Sequence, residues 1–163
     1  MSLSPLAMIT LDSVTHLTPA HRGAVVYAAS HGGTYAAAYA AAKGIAAIIL
    51  NDAGIGRERA GIAGLDLLGD LRVLGAAIAH TSARIGDGRD GVARGILSTV
   101  NASASALGLT VGMSCREALE RLAGAALNPA PAPPLGDEAR HEIDSDVRPG
   151  AKGIVMDSAS LVT

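Results

Sequence analysis

The chain of 163 residues has no Trp, no Phe, only three Tyr and a single Cys. Its core must therefore come from Ala, Val, Ile and Leu. Ala buries little surface, so each helix contributes a thin apolar layer. Such a chain gains stability from close backbone packing and from covering helix faces against another subunit, and a homo-oligomer is expected. One cysteine, Cys115, excludes an intrachain disulfide and suits a reducing cytoplasm. No run of Lys and Arg stands out. The net charge of -2 and pI near 6.2 argue against an electrostatic grip on nucleic acid. Mean hydropathy is high, at +0.34. Even so, no segment has the roughly 18 uninterrupted apolar residues of a spanning helix, and the opening residues show neither the basic region nor the apolar stretch of a signal peptide. The expected setting is cytoplasmic, with a small-molecule partner and neither nucleic acid nor membrane.

What is present is a phrase spelled twice. One copy reads Ile9-Thr10-Leu11-Asp12-Ser13 and the other Ile154-Val155-Met156-Asp157-Ser158. Each is a short apolar run stopping at Asp-Ser, which reads as a strand delivering two polar side chains at its carboxyl end. The repeat predicts two extended elements in comparable positions, the second carried across the domain or onto a neighbouring subunit.

Between the copies, strand and helix signals alternate. Thr18-Pro19 caps a short turn closed by Gly23. Residues 24–29 form an apolar strand, and Ser30-His31-Gly32-Gly33 turns it into a helix over 34–43 that stops at Gly44. Residues 45–50 are the next strand, followed by a glycine-bearing loop and a helix over 59–69. A third strand spans 76–81. A longer helix is expected over 87–107. Ser114-Cys115-Arg116-Glu117 is a capping box opening a helix over 115–127.

Continuous apolar strands alternating with helices predict an α/β fold: three layers, with a mainly parallel sheet and Ala-rich helices on both faces. The three strands should be parallel neighbours joined by right-handed crossovers. A second architecture comes from the phrase Arg22-Gly23-Ala24-Val25-Val26, a Gly-rich turn, an Ala-rich helix and Gly44-Ile45-Ala46-Ala47-Ile48-Ile49. Over residues 22–49 it resembles the swivelling β/β/α domains, which implies that fold as the alternative. The chain divides into a core domain at 1–128, a Pro-rich linker and polar loop at 129–152, and the terminal strand at 153–163.

In an open parallel sheet, ligands bind outside the carboxyl ends of the strands. That rule collects Asp12 and Ser13, then Ser30, His31, Gly32 and Gly33, then Asn51 and Asp52, then Ser82, Arg84 and Asp87. Asp157 and Ser158 would join from the second copy. Gly32 and Gly33 open a helix whose free N–H groups suit a carboxylate, a phosphate or an oxyanion, unless they only shape the turn. His31 is the candidate acid/base, with Asp52 as base, hydroxyl ligand or metal holder, and Ser30 as an accompanying hydroxyl. Asn51 and Asp52 also fit an ordinary turn. Arg84 offers a planar fork to an anion, and Asp87 either fixes it or caps the next helix. His80 reads as a satisfied core histidine inside the third strand, or as a group orienting a partner. A Ser30–His80–Asp52 triad is conceivable, but spacing does not single it out. No metal-ligand spacing and no cofactor fingerprint occurs, so neither metal nor cofactor is expected.

Two functions remain open. One is an enzyme acting on a small polar, anionic substrate by acid/base chemistry: a hydrolase, isomerase or lyase. The other is a non-catalytic metabolite-binding or assembly domain using the same loops.

Overall fold

A computed structural model describes residues 5–131, 140–144 and 152–156. The main sheet has five strands in the order β1 (Met8–Leu11), β2 (Val25–His31), β3 (Ala47–Asn51), β4 (Leu74–Ile78) and β5 (Leu97–Val100). Strands β1 to β4 are parallel neighbours, as expected for the three central runs, and β5 returns antiparallel to β4. The fold is a mixed α/β domain on a mostly parallel sheet.

The helices are α1 (Thr34–Ala42), α2 (Gly64–Asp70), α3 (Gly88–Arg94), α4 (Ala102–Ala106) and α5 (Cys115–Ala123). Strand alternation divides the apolar side chains between two clusters. Val26, Ala28, Ile48, Leu50 and Ala77 join Ala36, Ala37, Ala40 and Ala41 of α1 and Leu65 and Leu68 of α2. Their alternates Val25, Tyr27, Ile49, Ala76 and Ile78 join Ala104 of α4 and Cys115, Ala118, Leu119 and Leu122 of α5. Residues 25–29 of β2, all of β3 and residues 75–78 of β4 are buried, which explains why they read as unbroken apolar runs.

Each parallel strand lies beside its predecessor, so the order advances in one direction with no reversal. A crevice at a reversal point is what usually receives the ligand in such sheets. Here the polar rim must be shaped by its loops instead.

Several expected elements differ. The helix over 87–107 is broken into α3, β5 and α4. Gly95 leaves the helix with φ -59 and ψ 137, and Asn101 opens α4 by accepting from Ala104 N. The helix over 59–69 begins only at Gly64, because the chain before it runs through left-handed residues: Ala53, Gly54, Ile55, Gly56, Glu58 and Arg59 all have positive φ. The third strand stops at Ile78, so His80 lies beyond it. The helix opened by Ser114 ends at Ala123 rather than at 127.

The chain after α5 stays attached to the core: Ala130 is buried and its N–H donates to Ile45 O at 2.8 Å. Strand β6 (Arg140–Asp144) falls in the stretch expected as linker and polar loop. It pairs antiparallel with β7 (Lys152–Met156) in a separate two-stranded sheet. Residues 9–11 and 154–156 of the repeated phrase are thus in strands, but β1 pairs parallel in the main sheet and β7 antiparallel outside it. Asp157 and Ser158 lie outside the described residues. Residues 22–49, which carry the resemblance to swivelling domains, form β2, α1 and β3.

Candidate functional site

Because β1 to β4 are parallel neighbours, their carboxyl ends share one rim. Asn51 and Asp52 are the buried polar residues of the described core. Asn51 shapes the turn: its Oδ1 accepts from Ala53 N at 2.9 Å and its Nδ2 donates to Ala83 O at 3.5 Å. Asp52 Oδ1 accepts three donors, Gly54 N and His80 N at 2.9 Å and His80 Nδ1 at 3.0 Å. Burial pushes the Asp52 carboxyl up. The hydrogen bonds from Gly54, His80 and the Ser98 hydroxyl outweigh that and hold it below its ordinary value.

An ionised carboxylate only accepts, so His80 Nδ1 carries a proton, and in the neutral ring Nε2 keeps its lone pair. The Asp52 side chain is 5% exposed and that of His80 53%. The arrangement is a buried acid holding a half-exposed imidazole in one tautomer, able to take a proton at Nε2. Gly54, at φ +77, lies against the ring, where a Cβ would sit 3.7 Å from it. His80 is therefore no core histidine. The sequence alone leaves His80 inside the third strand, because nothing in the run over 76–81 marks the end at Ile78.

A second part of the rim is a cleft of about 260 Å³ lined by Ser13, Val14, Thr15, Ser30, His31, Tyr35 and Ala36. Ser13 caps a short 3-10 turn (Val14–His16) and shares a 2.8 Å hydrogen bond with Thr15 Oγ1. Ser30 Oγ accepts from Val14 N at 2.8 Å. His31 Nδ1 accepts from Gly33 N at 3.1 Å, so its neutral ring carries the proton on Nε2. No local sequence signal marks Thr15, which joins the cleft only because the turn over 14–16 is bonded to Ser30.

The remaining candidates hold the scaffold. Gly32 N donates to Asn51 O at 2.9 Å and Gly32 O accepts from Gly64 N at 2.8 Å. The N–H groups of Gly32 and Gly33 are thus both engaged within the chain. A Cβ on Gly32 would meet Gly61 O at 2.8 Å, so this glycine serves loop packing. Ser82 Oγ donates to Ala79 O at 2.7 Å and accepts from Ile96 N at 3.0 Å. Asp87 caps α3 through Asp90 N at 2.9 Å, and Asp12 Oδ1 accepts from Gly88 N at 2.8 Å in the same turn. Arg84 is exposed, and its backbone N–H reaches Asp90 Oδ2 at 2.8 Å. Asp90 pairs with Arg94, whose hydrogen bond draws the Asp90 carboxyl down to about 2.

Behind the rim, Tyr27 is fully buried and its hydroxyl has no hydrogen-bond partner among the described residues. Burial, then the neighbouring Cys115, Asp90 and Asp87, push it above its ordinary value. Gly91 faces the ring so closely that a Cβ would strike the hydroxyl. Burial likewise pushes the Cys115 thiol up to about 12, which makes it a poor nucleophile. Among the described residues no group of three or more His, Cys, Asp or Glu could hold a metal ion, and no helix is long and apolar enough to cross a membrane.

Compared with known proteins, the chain matches no family model, no curated protein and no solved structure.

Proposed function

We propose that this chain is an enzyme acting on a small polar, anionic molecule by acid/base chemistry at the carboxyl rim of its sheet. His80 takes the proton through Nε2. Asp52 fixes its tautomer and stabilises the imidazolium that forms. His31 Nε2–H and the hydroxyls of Ser13, Thr15 and Ser30 receive the carboxylate or phosphate of the ligand. The observation that carries this reading is the Asp52–His80 contact at 3.0 Å, from a buried acid to a half-exposed ring. A half-exposed histidine needs no carboxylate for folding alone, whereas a general base needs one to set its tautomer.

The test is a turnover screen of small carboxylates and phosphate esters with the wild type, His80→Gln and His31→Asn. Turnover lost in His80→Gln, with a raised KM in His31→Asn, supports the reading. Turnover that survives His80→Gln refutes it. One observation favours a second reading as a metabolite-binding domain: the cleft lining includes neither Asp52 nor His80. Ligand binding at His31 without turnover of any bound compound would select it.

The same reading takes the two apolar clusters as the faces of a three-layer domain with Ala-rich helices. It also takes the partly exposed face of α1, with Tyr35 and Tyr39, as the subunit contact of a cytoplasmic homo-oligomer. Light scattering tests the latter.

A further inference from the structure

The main sheet has an unfinished edge. β1 pairs with β2 on one side, and among the described residues no strand pairs with it on the other. The ladder begins with Val25 N donating to Ala7 O, and its parallel register aligns Met8 with Val25 and Thr10 with Tyr27. In such a ladder alternate residues face the partner, so the amides of Ile9 and Leu11 turn to β2 and those of Met8 and Thr10 turn outward. Both outward residues are exposed, Met8 by 53%. The opposite edge is not open in this way. Leu97 N donates to Met113 O, and Gly112 N donates to Leu97 O, so the segment before α5 covers β5.

The second sheet is unfinished too. A lone two-stranded sheet is marginal in water and needs another layer or strand. Its strands are unequal: β6 reads Arg-His-Glu-Ile-Asp and β7 reads Lys-Gly-Ile-Val-Met. Charged sequence suits an outer edge, and apolar sequence suits a strand paired on both sides.

The path of the chain joins these halves. Pro129 lies against Gly23, and Ala130 is bonded to Ile45, at the amino ends of β2 and β3. The linker leads to β6, whose place outside β7 is three strand spacings from β2 and four from β3, roughly 14–19 Å. The eight residues from 132 to 139 span up to about 26 Å when extended, so reach is not limiting.

We infer that the β6–β7 hairpin of the same chain docks on the open edge of β1, with β7 paired to β1 and the charged β6 as the new outer edge. The occupant would be a strand whose sequence echoes the one it pairs with. The rim at the carboxyl end of β1, including Ser13 of the cleft, would then be flanked by this added strand.

Cys115 is fully buried, so new surface cysteines report without a competing thiol. Thr10→Cys is combined in the full chain with Gly153→Cys, Ile154→Cys, Val155→Cys or Met156→Cys in turn, and each pair is mildly oxidised. The expected result is a disulfide at alternate positions, two residues apart, running as a monomer on a non-reducing gel. No disulfide, equal reaction at all four positions, or a disulfide only between two chains overturns the inference. The last outcome would mean that the hairpin is exchanged between copies. Amide exchange gives an independent reading. Met8 and Thr10 should exchange at least about tenfold faster in Val155→Pro than in the wild type, with Ile9 and Leu11 unchanged. Equal rates at Met8 and Thr10 would contradict it.

Discussion

Two histidines share the carboxyl rim, one at the end of β2 and one just past β4, and they offer opposite chemistry. His31 Nδ1 accepts from a peptide N–H, that of Gly33, so its outer nitrogen is a donor. His80 Nδ1 donates to the carboxylate of Asp52, so its outer nitrogen is an acceptor. Neither role is a property of the residue type. Each is set by the group on the inner nitrogen, and that group is placed by the turn after a strand. A rim carrying one of each can hold an anion with the first and remove a proton with the second.

The two histidines should differ most in what the loss of their inner partner costs, and Asp52 carries the larger share. Asp52→Ala leaves two peptide N–H groups and one imidazole without their acceptor, in a site where the acid is buried. The expected loss is on the order of 3 kcal/mol by urea unfolding. His31→Ala removes the acceptor of one N–H and should cost about 1 kcal/mol or less. Equal losses would mean that the two histidines are held alike. Next in size is Gly61→Ala, whose new Cβ would strike the Asp52 carbonyl oxygen. A cost of about 2 kcal/mol is expected, with broadening of the His80 ring signals by NMR. Ser30→Ala strips the acceptor from Val14 N, and about 1 kcal/mol should follow, confined to the cleft and leaving His80 unaltered.

The smallest effect is in pH. Asp52 is held below its ordinary value, so its contribution is full above the unfolded carboxyl pKa of about 4 and is lost as pH falls through the folded value. Urea midpoints should therefore drop on acidification more in the wild type than in Asp52→Asn. Asp90, drawn to about 2, extends the loss to lower pH in both proteins. Parallel curves for wild type and variant would contradict the stabilised carboxylate.

The parts of this site that were legible in the sequence are those set by local pattern. Residues 25–29 of β2, all of β3 and residues 75–78 of β4 are buried, so their apolar runs are legible directly. The Asp52–His80 contact joins residues 28 positions apart, and no local signal announces it. The helix expected from 59 starts later, at Gly64, for the opposite reason. Ala53, Ile55, Glu58 and Arg59 adopt left-handed backbone that their own preferences oppose, so only tertiary packing fixes them. β5 was hidden because the Ala residues on either side of it favour helix. Ile96 just before it and its own Thr99 and Val100 are the β-branched signal against that helix.

His80 is expected to present a bare Nε2 and His31, on the same rim, an Nε2–H. Long-range nitrogen–proton NMR of the imidazole rings, recorded where both are neutral, reads this directly. The predicted result is the Nδ1–H tautomer for His80 and the Nε2–H tautomer for His31, with His80 losing its preference in Asp52→Asn. The Nε2–H tautomer at His80 in the wild type would contradict the account.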